Sequence, residues 1–303
     1  MNKPLTTITI IVIAVLMGVF LNNYHVGAKE LISPILTSSK SVGLNQWFPQ
    51  QVLGIQTNTP EISAKSAFFI ETQTGKVLYS KDPHHRLPIA SLVKIMTVLI
   101  SLEYRNLQDQ FSVSRMAVEI EPDKMLLLSG EKLTLKELLY GIFLVSANDG
   151  AEVIAEDTTG NREEFIKLMN AKAHQLGMKD SYFVNPTGLD EDNNNNSYSS
   201  AYDLTILTRY LIKTYPEVVE ISKTEHIILP KTDTHQGYDM YSGINLLTTY
   251  PGVVGFKTGF TPEAGLTLVT LVRKNGYEVL GVILGTENRR EEAKELLDYS
   301  FSQ

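Results

Sequence analysis

An α+β fold, with an antiparallel sheet flanked by helices and a helical subdomain, is what this sequence predicts, and three observations predict it. Strand-like hairpins stand near both ends of the patterned region, at "AFFIETQTGKVLYS" and at "LTLVTLVRKNGYEVLGVIL". The periodicity between them is mostly helical. A last helical stretch, "RREEAKELLDYSFS", follows the final strand. Strands from the two ends can therefore pair in one sheet that helices cover.

Taken in order, the chain opens on Leu5 to Leu21, "LTTITIIVIAVLMGVFL", an uncharged apolar run behind Lys3. A run of about 17 such residues suits export or membrane anchoring. The alternative, a buried core helix, sits poorly at the extreme terminus ahead of a polar stretch. "VGA" at Val26 to Ala28 resembles a small-residue cleavage site, so residues 1–28 read as a signal peptide or membrane anchor. Lys3 on one side is nearly matched by Lys29 and Lys40 on the other, so flanking charge does not orient the segment. Residues 29–61, with Pro34, Pro49, Pro60 and "SSKS", read as a linker. One compact domain is then expected over 62–303.

Within that domain "QTGK" turns the first hairpin on Gly75, and Asn275-Gly276 turns the last. "TLKELLYGIFL" (Thr134 to Leu144) has helical spacing, and "REEFIKLMNAKAHQLG" is a helix closed by Gly177. Tyr104, Tyr140 and Phe143 fall at helical positions and read as core. "DEDNNNN" (Asp190 to Asn196) reads as a mobile surface loop. Tyr198 beside it is a possible rim contact for glycan or peptide.

Composition narrows the chemistry. The chain has 303 residues, 43% of them apolar, and a net charge of -7 from 27 basic and 34 acidic residues. With no basic run, a nucleic-acid partner is not expected. There is no cysteine, which excludes disulfides, thiolate metal sites and a cysteine nucleophile. No H-E-x-x-H or clustered His and carboxylate pattern suggests zinc, and no metal or other cofactor is expected. His84 and His85 read as a surface-loop pair.

"LPIASLVKIMTVLI" places Ser91 and Lys94 three residues apart in an apolar run. On a helix they share a face, and Pro88 marks the expected first turn, with Ser91 near the positive end of the dipole. A hydroxyl becomes a nucleophile beside a base, and an amine serves if burial or a second cation keeps it neutral. The spacing alone is weak, because "SGEK" (Ser129 to Lys132) repeats it where Gly130 and a following helix suggest a solvated loop. Two further elements single out the first copy. "SAN" (Ser146 to Asn148) ends one helical pattern and opens another, and "KTG" (Lys257 to Gly259) follows the strand-like "GVVGF".

S-x-x-K, S-x-N and K-T-G in that order form the serine acyl-transferase set of penicillin-binding proteins and related β-lactamases. With "TGKVLYSKDPHHRLPIASLVKIMT", "LLYGIFLVSANDGAEVIAE", "NPTGLD" and "GVVGFKTGFTPEAG", residues 62 to 302 resemble the D-alanyl-D-alanine carboxypeptidase family. The resemblance implies a β-lactamase/transpeptidase-like fold and cleavage of the terminal D-Ala-D-Ala bond of peptidoglycan stem peptides, with β-lactam antibiotics as inhibitors. It implies Ser91 as nucleophile, Lys94 as its base and Ser146 as a proton relay. Asn148 would hold the substrate amide, Lys257 and Thr258 would bind its carboxylate, and Gly259 completes the motif. Backbone N–H groups of Ser91 and Phe260 would form the oxyanion hole. Departures are modest: Val93 precedes the motif lysine where the family often has Thr, and Gly150 stands where Ala is common. The family's smaller β domain, which carries a membrane-binding tail, has no counterpart up to residue 303, so the N-terminal segment is expected to tether the protein to the membrane.

Four other readings compete. A β-lactamase of the S-D-N class would add an E-x-x-L-N loop, and none stands between Asn148 and Lys257. A D,D-endopeptidase would use the same residues on cross-links. A non-catalytic wall-binding protein would have no need of the intact Ser91, Lys94, Ser146, Asn148 and Lys257. A Ser-His-Asp hydrolase would call for a G-x-S-x-G elbow, which the chain lacks.

Overall fold

The computed structural model describes residues 47–49, 59–191 and 195–303. The expected export segment, most of the expected linker and the middle of the Asn-rich run lie outside the described residues. Part of the linker rests on the domain, since the Arg209 guanidinium lies 3.8 Å from the centre of the Trp47 ring.

In chain order, β1 (Ser66–Glu71) and β2 (Val77–Lys81) are followed by β3 (Leu87–Pro88), a 3-10 turn (Ala90–Val93) and α1 (Lys94–Tyr104). Then come β4 (Gln110–Ser112), the short α2 (Arg115–Val118), β5 (Lys132–Thr134), α3 (Leu135–Leu144), α4 (Asn148–Thr159) and α5 (Arg162–Gln175). Next are β6 (Tyr198–Ser199), α6 (Ala201–Thr214), α7 (Glu217–Ser222), β7 (His226–Leu229), β8 (Tyr238–Tyr241) and the short α8 (Leu246–Thr249). The long strands β9 (Val253–Thr261), β10 (Gly265–Lys274) and β11 (Tyr277–Thr286) and helix α9 (Arg289–Ser302) follow.

The two hairpins join as their patterning predicts. The main sheet runs β2-β1-β11-β10-β9, with β1 and β11 antiparallel and Phe69 opposite Gly281. Every residue of β1 is buried, so both faces of the sheet are covered. On one face Ala67, Phe69, Leu268, Val272, Val279 and Ile283 share a core cluster with Ala293, Leu296 and Leu297 of α9. Alternation at period two aims those strand residues at one layer. On the other face α6 packs against β1 and β11, and α7 against β9. The last turn has Asn275 at φ 54° and Gly276 at φ 81°, the left-handed pair that a two-residue hairpin demands.

The helical subdomain is punctuated by its own side chains. Thr134 caps α3 in a capping box with Glu137, and Asn161 caps α5 through Glu163 N and Glu164 N. α5 ends as expected on Gly177, φ 74°, whose N–H donates to His174 O. Phe143 is buried with its ring 5.1 Å from Phe256, while Tyr104 and Tyr140 are only half-buried. α1 and the 3-10 turn before it lie where this subdomain meets β9 and β10.

Candidate active site

Ser91 does not lie on the first turn of an α-helix, as Pro88 had suggested. Pro88 belongs to β3 and faces Tyr198 of β6, and the α-helix starts only at Lys94. Ala90 stands at φ 49°, a left-handed conformation that no α-helix accepts, so Ser91 sits in the 3-10 turn that follows. The two side chains meet nonetheless across the junction. Lys94 Nζ lies 3.0 Å from Ser91 Oγ, with Ser91 nearly buried and Lys94 fully so.

Two other oxygens contact the same nitrogen. Lys94 Nζ donates to Asn148 Oδ1 at 2.7 Å and to the carbonyl of Thr187 at 2.7 Å. A neutral amine has two hydrogens and one lone pair. In that neutral form the two oxygens would take both hydrogens and leave the lone pair for the Ser91 hydroxyl. Burial holds the Lys94 amine well below the usual lysine range, and the charge of Lys257 pushes it further down.

The Thr187 carbonyl is aimed by the "NPTG" turn. Asn185 Oδ1 accepts from the N–H of Thr187 and of Gly188, and Thr97 Oγ1 donates to Pro186 O. Gly188 stands at φ +82° with its open side against Ala90, where a Cβ would come 1.9 Å from the Ala90 carbonyl oxygen. Gly188→Ala is therefore expected to destabilise the fold by about 1–3 kcal/mol and to slow the chemistry of Ser91. Thermal melting checks the first effect, and a native melting temperature would show that this contact yields freely.

Asn148 opens α4 as expected but is more deeply engaged than its expected substrate contact implies. It is almost fully buried, Oδ1 accepts from Lys94, and Nδ2 donates to Pro122 O at 2.5 Å. One Nδ2 hydrogen is left for anything else. Ser146, two residues earlier, is half-exposed at φ 59°. Lys257 Nζ donates to Ser146 Oγ at 2.9 Å, which leaves the Ser146 hydroxyl hydrogen free to donate.

"KTG" lies on β9, the edge strand of the sheet, in continuation of the strand-like run before it. Lys257 is fully buried, and burial first, then the Arg289 guanidinium, brings its amine down to about 7. Arg289 itself donates from Nη1 to Gly259 O and Thr267 O. At Gly259 a Cβ would stand 3.0 Å from Ser91 N and 2.6 Å from Thr267 Oγ1, so only glycine lets β9 approach the Ser91 amide this closely. Thr258 is half-buried, and the Phe260 side chain is 62% exposed.

The motifs thus converge, and the second S-x-x-K stays apart. Ser129 and Gly130 are exposed as expected, but Glu131 is buried and accepts from Leu128 N, Gln236 N and Tyr238 Oη, so this stretch is an anchored turn. His84 is exposed and paired with Asp180 at 3.1 Å. Tyr198 is half-buried, stacked on Tyr182. Among the described residues no cluster of His, Cys, Asp or Glu could hold a metal ion. Sequence reasoning did not find Arg289 or the carbonyls of Thr187 and Pro122, although Asn-Pro and Thr-Gly in "NPTG" are turn signals.

Fold and site together have the arrangement of the active-site-serine acyl-transferases. Residues 54–288 match the profile of the D-alanyl-D-alanine carboxypeptidases (peptidase family S11), and the chain belongs to that family. It is 37% identical over 258 residues to the D-alanyl-D-alanine carboxypeptidase DacF of Bacillus subtilis, covering 82% of this chain and 65% of that one. It is thus matched to just under two thirds of that relative's length. A D-alanyl-D-alanine endopeptidase of Pseudomonas aeruginosa is 33% identical over 233 residues, 74% of this chain and 72% of its own. The crystal structure of the Streptomyces K15 DD-transpeptidase superposes with a TM-score of 0.75 at 27% identity, covering 82% of this chain and 100% of that one.

Proposed function

We propose that this chain is a serine-type D-Ala-D-Ala carboxypeptidase that removes the terminal D-alanine from peptidoglycan stem peptides through an acyl-enzyme on Ser91. The observation that carries the reading is the fully buried Lys94 amine, 3.0 Å from the Ser91 hydroxyl. Ser91 Oγ attacks the carbonyl carbon of the penultimate D-alanine while its proton passes to Lys94 Nζ. The oxyanion forms against the N–H groups of Ser91 and Phe260, and loss of one such donor costs about 2.7–4 kcal/mol. As the C–N bond breaks, the leaving amine takes a proton through Ser146. Water then hydrolyses the ester and frees Ser91. β-Lactams would enter as substrate mimics whose acyl-enzyme persists.

Lys257 and Thr258 supply the carboxylate site in this reading. An ammonium worth about 1.5–3 kcal/mol of hydrogen bonding corresponds to about one to two decades in rate. The native protein is expected to prefer a peptide ending in free D-Ala-D-Ala over its amide by that factor. The preference should fade as pH rises through about 7, where Lys257 loses its proton. In Lys257→Gln the two substrates are expected to converge. Release of free D-alanine and kcat/KM on both peptides measure this, and equal rates in the native protein would count against an exopeptidase. The Pseudomonas relative is named an endopeptidase, which supports a second reading, a D,D-endopeptidase on cross-links, tested by product analysis on a cross-linked dimer.

The extracytoplasmic location we propose, at the cell membrane or wall, rests on the apolar run of residues 5–21. Among the described residues no helix is long and apolar enough to cross a membrane. Full-length protein should therefore fractionate with membranes if residues 1–28 are kept as an anchor.

A further inference from the structure

Asp149 follows the S-x-N motif directly, yet its side chain is fully buried and takes no part in the chemistry described above. An acid in the first turn of a helix has an ordinary role against the dipole. This one is turned elsewhere. Oδ1 accepts from Met125 N at 3.1 Å and Oδ2 from Leu127 N at 3.0 Å, and only the Gly150 N–H is local, at 2.8 Å. The two long-range donors flank Leu126, which stands at φ 64° with its side chain 66% exposed. A left-handed leucine is held there by its surroundings: the carboxylate grips the amide on either side, and Gln236 Nε2 donates to Leu126 O at 2.9 Å.

The loop so clipped has a second set of contacts. Asp123 O accepts from Asn148 N at 2.7 Å, and Pro122 O accepts from Asn148 Nδ2. Asn148 Oδ1 in turn accepts from Lys94 Nζ. A continuous path therefore runs from the Asp149 carboxylate through the loop to Pro122, to the Asn148 amide and to the base. Without the clip, exposed Pro122 and Asp123 would have few other constraints.

We infer that Asp149 is a positioning residue for the acylation step, clipping the loop from Pro122 to Leu127 so that Asn148 holds the Lys94 amine on Ser91. The inference rests on the function proposed above. It implies that the loop, not the helix alone, sets the place of the base, and a displacement of about 1 Å costs on the order of a hundredfold in rate.

The test is acylation of the full chain by a fluorescent penicillin, followed in time across pH and normalised to the labelled fraction, for the native protein, Asp149→Ala and Asp149→Asn. In Asp149→Ala the saturating acylation rate is expected to fall about tenfold to a hundredfold with little change in the concentration for half-saturation. The acid limb should move to higher pH. Desolvation is the largest cause of the low Lys94 pKa, ahead of the charges of Lys257, Asp123, Glu152 and Asp149, and hydration through a loosened loop would relieve it, against the opposing loss of the Asp149 charge. Asp149→Asn keeps the shape and one acceptor oxygen and is expected to recover part of the rate. If Asp149→Ala does not fold, Asp149→Asn is read by the same rate and pH criteria. Native acylation rates in the folded variants, or a loss equal at every pH with no recovery in Asp149→Asn, would overturn the inference. Failure of the native protein to label would instead overturn the proposed function.

Discussion

Ser91→Ala is expected to lose all covalent labelling by penicillin, while Ser129→Ala labels as the native protein does. Both serines precede a lysine by three residues. Only one has a base. Ser91 Oγ lies 3.0 Å from a fully buried amine, whereas Ser129 is exposed on an anchored turn whose Lys132 opens β5 and is itself exposed. Intact mass after exposure measures the outcome, with an adduct on the native protein and none on Ser91→Ala. A label that survives in Ser91→Ala, or maps to Ser129, would move the nucleophile.

Lys94→Arg is expected to bind substrate and yet acylate about a hundredfold to ten-thousandfold more slowly, the range for loss of a general base. Guanidinium keeps its proton in proteins and offers no lone pair to Ser91. It would also place a fixed charge beside Lys257, in a pocket where burial already disfavours charge. For the native protein the sign of the pH dependence follows from the same base. Protonating Lys94 removes the lone pair, so acylation falls as pH drops through its lowered pKa. Stopped acylation at high pH in Lys94→Arg, with half-saturation unchanged, is the expected reading. Near-native acylation would mean that another group is the base.

What was legible in the sequence had a side-chain signature. Gly75 and Asn275-Gly276 fixed the two hairpins because few residues accept their backbone conformations, and the three motifs fixed which side chains would meet. The rest depended on backbone. The two anchors of Lys94 end in the carbonyls of Thr187 and Pro122, and a carbonyl leaves no mark on residue type. Ala90 at φ 49° gives no warning either, so Pro88 was read as the start of a helix that begins at Lys94. Arg289 at the head of the last helix carried no sequence signal for its role, which is to bridge the carbonyls of Gly259 and Thr267.

The pairing of β1 inside the sheet has a consequence in time. β1 pairs with β2 beside it and with β11, the last strand, Ser66 lying opposite Leu284. Closing a loop of roughly 200 residues carries an entropic penalty before any contact offsets it, and folds dominated by such pairings form slowly. β9 reaches β1 only by way of β10 and β11, so Lys257 cannot be set against Ser146 until the final third of the chain has been threaded into the sheet. A chain truncated before β9 would hold Ser91, Lys94 and Asn148 and still lack the strand opposite them. Cleavage competence therefore arrives in a single late step, and recovery of penicillin labelling during refolding should lag behind recovery of helical signal.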